Sequence, residues 1–335
     1  MELGINLLNK NGHISYIIPV VWLSLDACKG SRQTIFKENR IIKFAFTEDS
    51  VFEDANVDTV VFVIQKDNPK GNFETIKFNN DFSDTLNHSS HIQNDLTESY
   101  SINLESNEIL ERVISQNKNI SSLDKIVTIY NGIATGPGKD KYFSETKLDE
   151  NYKPLLMGND VHKYYNDKSS IWINYDRKKL HRARNEEIFL NKEKIIMQRI
   201  RNLKLDERIV ATIDYQKHYT FNSVNNLLLD DDKYDLKYVL GIVNSKLFNY
   251  LYKSISKNTN ITAQDLNKVP FRLINFKENA ELETYKEIIE KVSILLSETK
   301  LKTKLESILF ELDNLVYNLY GISKDEIKII EEANA

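Results

Sequence analysis

Hydrophobic positions in the N-terminal part of the chain follow the period of strands, with one helical stretch between them. Apolar runs rich in β-branched residues cover His13 to Pro19, Ile41 to Phe46 and Val57 to Lys66, and such runs are typical of strands. Ser24 to Glu38 can form a helix with polar and basic positions. This is an α/β pattern, but it has too few elements to cover both faces of a sheet. We therefore expect this block to be the final part of a larger domain.

The character of the chain changes twice more after this block. Polar residues dominate Asn79 to Asn94, which favours a linker or a surface excursion, and Glu108 to Gln116 predicts a helix. Short strands are then predicted at Leu123 to Tyr130, Ser170 to Tyr175, Lys194 to Arg199 and Tyr219 to Leu229. Helical periodicity covers Tyr234 to Lys253 and Ala280 to Tyr320, with Gly321 placed as a C-cap glycine. The order predicts a mixed α/β region followed by a helical end.

Composition narrows the class of protein. The chain has 335 residues, of which 41% are hydrophobic and 28% charged, enough for two or three globular domains. No apolar run reaches the roughly 18 residues that a membrane span needs, and no secretory signal pattern is present. The one cysteine, Cys28, excludes a disulfide framework. We expect a cytoplasmic protein without a membrane partner.

Charge is distributed unevenly along the chain. Between Arg177 and Arg208, eleven Lys and Arg face five Asp and Glu, which gives this window a net charge of +6. The formal charge of the whole chain is −4, so the other residues carry −10. A basic stretch in an acidic protein indicates a local binding site for a polyanion. A solvated face without a partner is the alternative.

Two segments carry the clearest local signals for such a site. Met197 to Lys204 (MQRIRNLK) follows an apolar strand and supplies Gln, Asn and Arg, which can pair with adenine and guanine in the major groove. An exposed hairpin with generic charges is the alternative. Asn131 to Gly138 (NGIATGPG) fits neither phosphate-loop spacing. It predicts a tight loop that presents Thr135, Lys139 and Lys141 to a partner, or else a plain structural turn.

The remaining motifs do not predict a catalytic or metal-binding site. Asp67-Asn68-Pro69 lacks the second proline of the (N/D)PP(Y/F) tetrapeptide of amino-methyltransferases, and we interpret it as a turn. His88 and His91 are three residues apart in a polar segment with no further ligands nearby, so no metal site is predicted. No pattern of a catalytic nucleophile or of paired carboxylates stands out, and we assign no catalytic residue.

Several segments carry a resemblance through their fixed order. The first group is GHISYIIPVVWL, SRQTIFKENRIIKFAF and SVFEDANVDTVVFVIQK. The second is NGIATGPGKDKYF, PLLMGNDVHKYY, SIWINYD, KIIMQRI, LKYVLGIVNSKLFNYLYK and ITAQDLNKVPF, with LDNLVYNLYGIS near the end. Together they resemble the C-terminal half of type IIG and γ-class adenine-N6 DNA methyltransferases that have a TaqI-like specificity domain. The resemblance covers nearly the whole chain.

The resemblance implies an α/β fold in four parts. Residues 1–68 would be the C-terminal part of a class I, Rossmann-like methyltransferase sheet, and 69–118 a linker with a short helix. Residues 119–273 would form a mixed α/β target-recognition domain, and 274–335 a helical C-terminal segment.

The resemblance also implies roles for individual residues. Phe52 matches the family aromatic that stacks on the extruded adenine, with a core phenylalanine as the alternative. Residues in the segments that approach DNA in the family are Thr135, Lys139, Lys141, Gln198, Arg199, Arg201 and Lys204.

The family's glycine-rich loop for S-adenosylmethionine and its NPPY tetrapeptide have no counterpart in this sequence. We expect the chain alone to bind no cofactor and to be inactive, with S-adenosylmethionine used by the complete enzyme. Either a second polypeptide supplies the missing half, or the chain is a truncated gene product. The expected function is recognition of double-stranded DNA that directs adenine-N6 methylation in a restriction-modification system, with associated cleavage left open. The alternatives are a stand-alone specificity subunit, like half of a type I specificity protein, and a non-DNA interaction protein built around the C-terminal helices.

Overall fold

The fold divides into two compact units, Met1–Ser106 and Asn107–Ala335. The computed structural model describes residues 1–47, 58–93, 96, 100, 102, 107–190, 193–297 and 302–334, without the side chains of 26, 139, 140 and 302–304. Each unit has its own hydrophobic core.

Unit 1 consists of a twisted sheet with a helix against it. Its elements are α1 (Glu2–Asn6), β1 (His13–Pro19), α2 (Lys29–Glu38), β2 (Arg40–Thr47), β3 (Thr59–Gln65), β4 (Asn72–Phe78) and β5 (Thr85–Ile92). The strands lie in the order β1-β3-β2-β4-β5. Phe36 of α2 meets Phe44 edge-on, and Trp22 stacks on Phe62, so aromatic side chains fill the core between helix and sheet.

The sheet of unit 1 differs from the sequence-based expectation in two ways. Strand β3 is antiparallel to both β1 and β2, and β4 and β5 pair antiparallel, so β2 with β4 is the parallel pair among the described strands of this sheet. A Rossmann-like sheet is therefore not confirmed. Residues 72–92, expected to lie in a linker, instead form β4 and β5. Polar side chains misled the prediction because β5 is a largely exposed edge strand, where burial imposes no apolar alternation.

Unit 2 contains two main sheets and a set of helices. Its elements are α3 (Glu108–Gln116), β6 (Ile120–Ser121), β7 (Val127–Asn131), β8 (Phe143–Ser144), β9 (Tyr152–Leu156), β10 (Val161–His162), β11 (Tyr165–Asn166), β12 (Ile171–Asn174), α4 (Glu187–Leu190), β13 (Lys194–Gln198), β14 (Ala211–Asp214), β15 (Tyr219–Thr220), β16 (Val224–Leu229), α5 (Leu236–Val243), α6 (Lys246–Ile255), α7 (Ala263–Lys268), β17 (Phe271–Arg272), α8 (Asn279–Ser297), α9 (Lys302–Tyr320) and α10 (Lys324–Glu332).

The two main sheets of unit 2 meet at a short turn. One has the order β14-β13-β16-β7 and the other β15-β9-β12-β8. Strands β15 and β16 follow each other along the chain, so residues 221–223 connect the sheets. The first sheet and helices α5, α6, α8 and α9 share one large core. The expected C-terminal helical segment is thus part of the same packed unit as the expected recognition domain.

Asparagine side chains attach the helices to the edge of the first sheet. Asn244 accepts a hydrogen bond from the Ala211 amide (3.0 Å) and donates one to its carbonyl (2.9 Å), as a neighbouring strand would. Asn249 accepts from the amides of Arg208 and Ile209 at 2.8 and 2.7 Å. Asn244 and Ser245 also break the predicted helix 234–253 into α5 and α6, with Ser245 capping the second. These contacts hold the connection between β13 and β14 in place.

Candidate nucleic-acid interface

The connection between β13 and β14 is held by its own polar side chains. Gln198 donates to the Val161 carbonyl (2.6 Å) and accepts from Arg201 Nη1 (2.6 Å). Arg201 Nε and Nη2 both donate to the Glu207 carbonyl, at 3.0 and 2.7 Å. The Gln198 carboxamide and the Arg201 guanidinium therefore hold this connection together through internal hydrogen bonds. Asn202 and Lys204 are exposed beyond it.

Some of the basic residues counted in the sequence window are buried. Lys194 forms an ion pair with Asp214 at 2.5 Å, and both side chains are at most 1% exposed. The Arg208 guanidinium donates to the Asn258 carbonyl and lies over the Tyr252 ring. These cations stabilise the interior of unit 2, so the surface is less basic than the window suggests.

A second group of basic residues lines an open cleft of about 430 Å³. We call it the arginine cleft, and its lining residues are Asn131, Ala134, Thr135, Gly136, His181, Arg182, Arg184, Arg199, Phe221 and Asn222. They come from the glycine-rich loop, from the segment before α4, from the end of β13 and from the turn that joins the two sheets.

Main-chain contacts between distant segments build the arginine cleft. Ala134 forms a bridge with Arg182, with hydrogen bonds of 3.1 and 2.8 Å between their main chains. Gly132 lies directly against residues 220–221, where a Cβ atom would overlap the main chain of Phe221. The loop therefore needs glycine at 132 for close approach. Gly136 has φ +78°, a left-handed conformation that glycine adopts without strain.

The arginines are anchored by main-chain carbonyls of the cleft itself. Arg199 Nη1 donates to the Asn222 carbonyl at 3.0 Å, and the Arg199 amide donates to the Ser223 carbonyl at 2.8 Å. Arg184 Nε donates to the Gly132 carbonyl at 3.3 Å. Arg184 has φ +69°, which costs a non-glycine residue of order 1 kcal/mol and persists because the surrounding structure holds it.

Positive charge in the arginine cleft is not neutralised by acidic groups. The lining residues include no carboxylate among those that the structure describes. Burial lowers the pKa of Arg199, and the charges of Arg184 and Arg182 lower it further. Burial and then the charge of Arg182 lower the pKa of Arg184. The guanidinium groups repel one another, so an anion placed among them would be bound favourably.

A smaller depression of about 220 Å³ adjoins the cleft and shares Asn131, Arg184 and Arg199 with it. Its other walls include Tyr130, which is 38% exposed, and Thr262 at the start of α7. Together the two concavities form a polar surface with an aromatic ring at one side.

The structure brings together two of the residues predicted from sequence. Thr135 and Arg199 line the arginine cleft. Gln198 and Arg201 are occupied by internal hydrogen bonds, while Lys141 and Lys204 are exposed. The side chain of Lys139 and the whole of Phe52 lie outside the described residues. None of these observations tests contact with DNA, and the seven DNA-binding assignments and Phe52 stay predictions.

Sequence reasoning counted Arg182 and Arg184 as charges but did not assign them to a site, and it overlooked Asn222. The signal for the arginines was weak. In the segment HRAR, the small residue Ala183 is buried between two arginines. This pattern alone does not place the two cations together, because Arg184 has a left-handed φ of +69° that alternation along an extended segment does not predict.

Two motifs that sequence reasoning set aside lie in unit 1. Asp67-Asn68-Pro69 lies in the connection between β3 and β4, as interpreted. His91 stacks on Phe73 and hydrogen-bonds Thr75 at 2.9 Å, so it stabilises the sheet. The residues that the structure describes contain no group of three or more His, Cys, Asp or Glu that could hold a metal ion. Among the same residues, no helix has both the length and the apolar character to cross a membrane.

Comparison with known proteins finds a domain match that contains six of the ten residues lining the cleft, those from His181 to Asn222. Residues 153–271 match the TaqI-like C-terminal specificity domain. The chain is also 27% identical, over 370 residues, to a Methanocaldococcus jannaschii protein named as a type II restriction enzyme and methyltransferase. That alignment covers 98% of this chain and 29% of the relative, so the chain spans less than a third of the relative's length.

Solved structures with a similar fold are restriction-modification enzymes. The type IIL enzyme MmeI, solved in complex with DNA, has a TM-score of 0.58 at 9% identity, over 97% of this chain and 50% of that one. The type ISP enzyme LlaGI, solved with a DNA substrate mimic, has a TM-score of 0.53 at 11% identity, over 88% and 36%. At these identities the likeness concerns the fold. With the domain match, it confirms the resemblance inferred from the order of motifs.

Proposed function

We propose that this chain recognises a DNA sequence for a restriction-modification enzyme and that the arginine cleft is part of its DNA-binding surface. The observation that carries the proposal is a cluster of arginines in a cleft whose lining residues, among those described, include no carboxylate. The cleft lies in the unit that contains the match to a specificity domain. A polyanion such as DNA is the ligand that such a surface binds most favourably.

The proposal extends to the reaction that recognition serves. We infer that the complete enzyme methylates adenine at N6, because the motif order resembles adenine-specific methyltransferases. Phe52 would stack on the extruded base in that enzyme. The residues of the arginine cleft do not fit S-adenosylmethionine, because its sulfonium is positively charged and guanidinium groups would repel it. We assign the methyl donor to the other half of the enzyme, because the family's glycine-rich loop for it has no counterpart in this sequence.

Unit 1 offers a surface where that other half could bind. Strand β1 is at one end of the sheet among the described strands, with half-exposed Ile17 on it. Leu3 and Leu7, near β1 in sequence, are 72% and 76% exposed. An unpaired strand edge with exposed apolar side chains favours pairing with a further strand. We propose that the N-terminal methyltransferase half, on the same or a separate polypeptide, covers this edge.

The experiment that tests the proposed function is selection from a random duplex library. The purified chain is incubated with the library across a salt series, and the retained DNA is sequenced. We expect a short adenine-containing motif, with affinity falling steeply as salt rises because bound phosphates release counterions. Lys204→Gln should lower the salt dependence, whereas Lys286→Gln, an exposed lysine of α8, serves as the matched control. Folded protein that retains no duplex at low salt would contradict the proposal.

A further inference from the structure

Arg182, Arg184 and Arg199 surround one cleft without a carboxylate to balance them, within the residues that the structure describes. We propose that this cleft binds a single phosphodiester group of the DNA backbone and does not read a base. The inference rests on the proposed function and assigns a role to residues that sequence reasoning left out.

Hydrogen-bond capacity in the cleft matches an anion with several acceptor oxygens. Arg184 uses Nε on the Gly132 carbonyl, and Arg199 uses Nη1 on the Asn222 carbonyl. These bonds fix both side chains in place. Among the described residues, the buried Nε atom of Arg199 has no hydrogen-bond partner, and neither its Nη2 atom nor the terminal nitrogens of Arg184 meet a protein acceptor. Guanidinium groups fixed in this way present charged donors to a ligand without losing further side-chain freedom.

Electrostatics favours a phosphate over a base edge. One arginine can pair with guanine through two hydrogen bonds, but a base carries no net charge. A bound base edge would therefore not reduce the electrostatic repulsion among the guanidinium groups. That repulsion is part of what lowers the pKa of Arg199 and of Arg184. A phosphodiester brings a negative charge and acceptor oxygens to the same place, so it both relieves the repulsion and occupies the donors.

Backbone strain at Arg184 and the close packing of the neighbouring loop support a dedicated binding site. Arg184 adopts φ +69°, and Gly132 and Gly136 bring the loop against the arginines. Thr135, which is 5% exposed, lies in the wall of the cleft. Backbone strain at an arginine persists when the surrounding structure holds it. A contact of this kind fixes the register of the protein on the duplex and carries no sequence information directly.

The test compares charge-neutral variants on two duplexes, the selected target and a random sequence. For Arg182→Gln and for Arg184→Gln we expect affinity to fall by a similar factor, about tenfold, on both duplexes. We also expect the slope of log affinity against log salt to decrease by at most about one in either variant, and by no more in the double variant, because the cleft neutralises a single phosphate. Arg177→Gln, an exposed arginine outside the cleft, is the matched control. Thermal melting of each variant verifies that it is folded, and Arg182 is exposed enough to be replaced safely.

A second arm identifies the phosphate itself. Duplexes that carry one neutral methylphosphonate at successive positions are bound to the wild type and to the Arg182→Gln/Arg184→Gln double variant. We expect one position whose neutralisation weakens the wild type but not the double variant, because that contact is already lost. Stabilisation of the wild type by inorganic phosphate, with no such position on DNA, would overturn the assignment to the backbone.

The outcomes separate this inference from the function on which it rests. If the wild type binds no duplex, the proposed function fails and the inference with it. If the wild type binds and the variants keep its salt slope, the inference alone is overturned. A variant that keeps the slope but loses its preference at one base pair would show that the cleft reads a base.

Discussion

At the scale of single residues, burial decides which charges act on the surface and which stabilise the interior. Asp313 of α9 is 6% exposed and accepts a hydrogen bond from the Lys246 amide at 2.9 Å. Burial raises the pKa of Asp313 to about 6, although the Lys246 amide and the charges of Lys163 and Lys246 oppose the shift. Glu331 raises it further. Burial raises the pKa of Tyr164 and of Tyr317, and the charge of the Asp313 carboxyl raises both further.

Replacing this carboxyl by an amide should make stability depend less on pH. The pKa of Asp313 is higher in the folded chain than in the unfolded chain. Its contribution to the free energy of unfolding is therefore fully present below about pH 4 and is lost as the pH rises through 6. We expect Asp313→Asn to be more stable than the wild type at pH 7 by up to about 3 kcal/mol, and equally stable near pH 4. Urea unfolding at both pH values measures the difference.

Asp325→Asn is the control for this substitution, because the Asp325 side chain is 92% exposed on α10. It should change stability little at either pH. An equal effect of Asp313→Asn at pH 4 and pH 7 would mean that packing, and not ionisation, governs this site.

At the scale of elements, glycines in one loop allow two sheets to meet. The loop after β7 passes so close to the turn after β15 that residue 132 has no space for a side chain. The same loop carries Ala134 and Thr135 into the arginine cleft. Its glycines therefore serve close packing and chain reversal, which explains why their spacing matches no phosphate-binding motif.

Gly132→Ala should disrupt both packing and binding. The added Cβ meets the main chain of residues 220–221, which cannot move without shifting β15. We expect a loss of about 1–3 kcal/mol in the free energy of unfolding, with weaker DNA binding because the wall of the cleft moves. Gly30→Ala is the control, since a Cβ at that position of α2 meets no atom within 4 Å. It should be neutral or stabilising. Unaltered stability of Gly132→Ala in urea would contradict the packing argument.

At the scale of the whole molecule, the arginine cleft and its supports belong to unit 2. The match to a specificity domain, residues 153–271, lies within the same unit. Unit 1 has a separate core around α2 and its sheet. The proposed recognition of DNA thus belongs to one compact unit, and the exposed apolar edge at β1 belongs to the other.

Residues 107–335 alone should therefore fold cooperatively and bind the selected duplex with the affinity of the full chain. The core of this unit is large and requires no residue of unit 1 among those described. Circular dichroism during melting tests the folding, and titration with the duplex tests the binding. The same fragment with Arg184→Gln is the control for binding through the cleft. A folded fragment with much lower affinity would mean that unit 1 contributes to DNA binding.

Several elements could be predicted from sequence because their patterns are local. Strand β1 and helix α3 have the predicted bounds, and Gly321 has φ +64° as a C-cap glycine should. The helices over 234–253 and 280–320 are present, each divided in two. Strand β5 was missed because a polar, exposed edge strand has no apolar period to detect.

By itself, the sequence determined the order of most elements, the division between a sheet-containing start and a helical end, and the resemblance to restriction-modification methyltransferases. Tertiary structure alone decided which basic side chains share a surface. Arg182 and Arg199 lie beside Thr135 because bridges join Ala134 to Arg182 and Ile133 to Phe221, which are 48 and 88 positions apart along the chain. Gln198 and Arg201 turn inward because main-chain carbonyls lie within their reach. Periodicity depends on neighbours along the chain, whereas a binding cleft depends on contacts between segments that only the fold brings together.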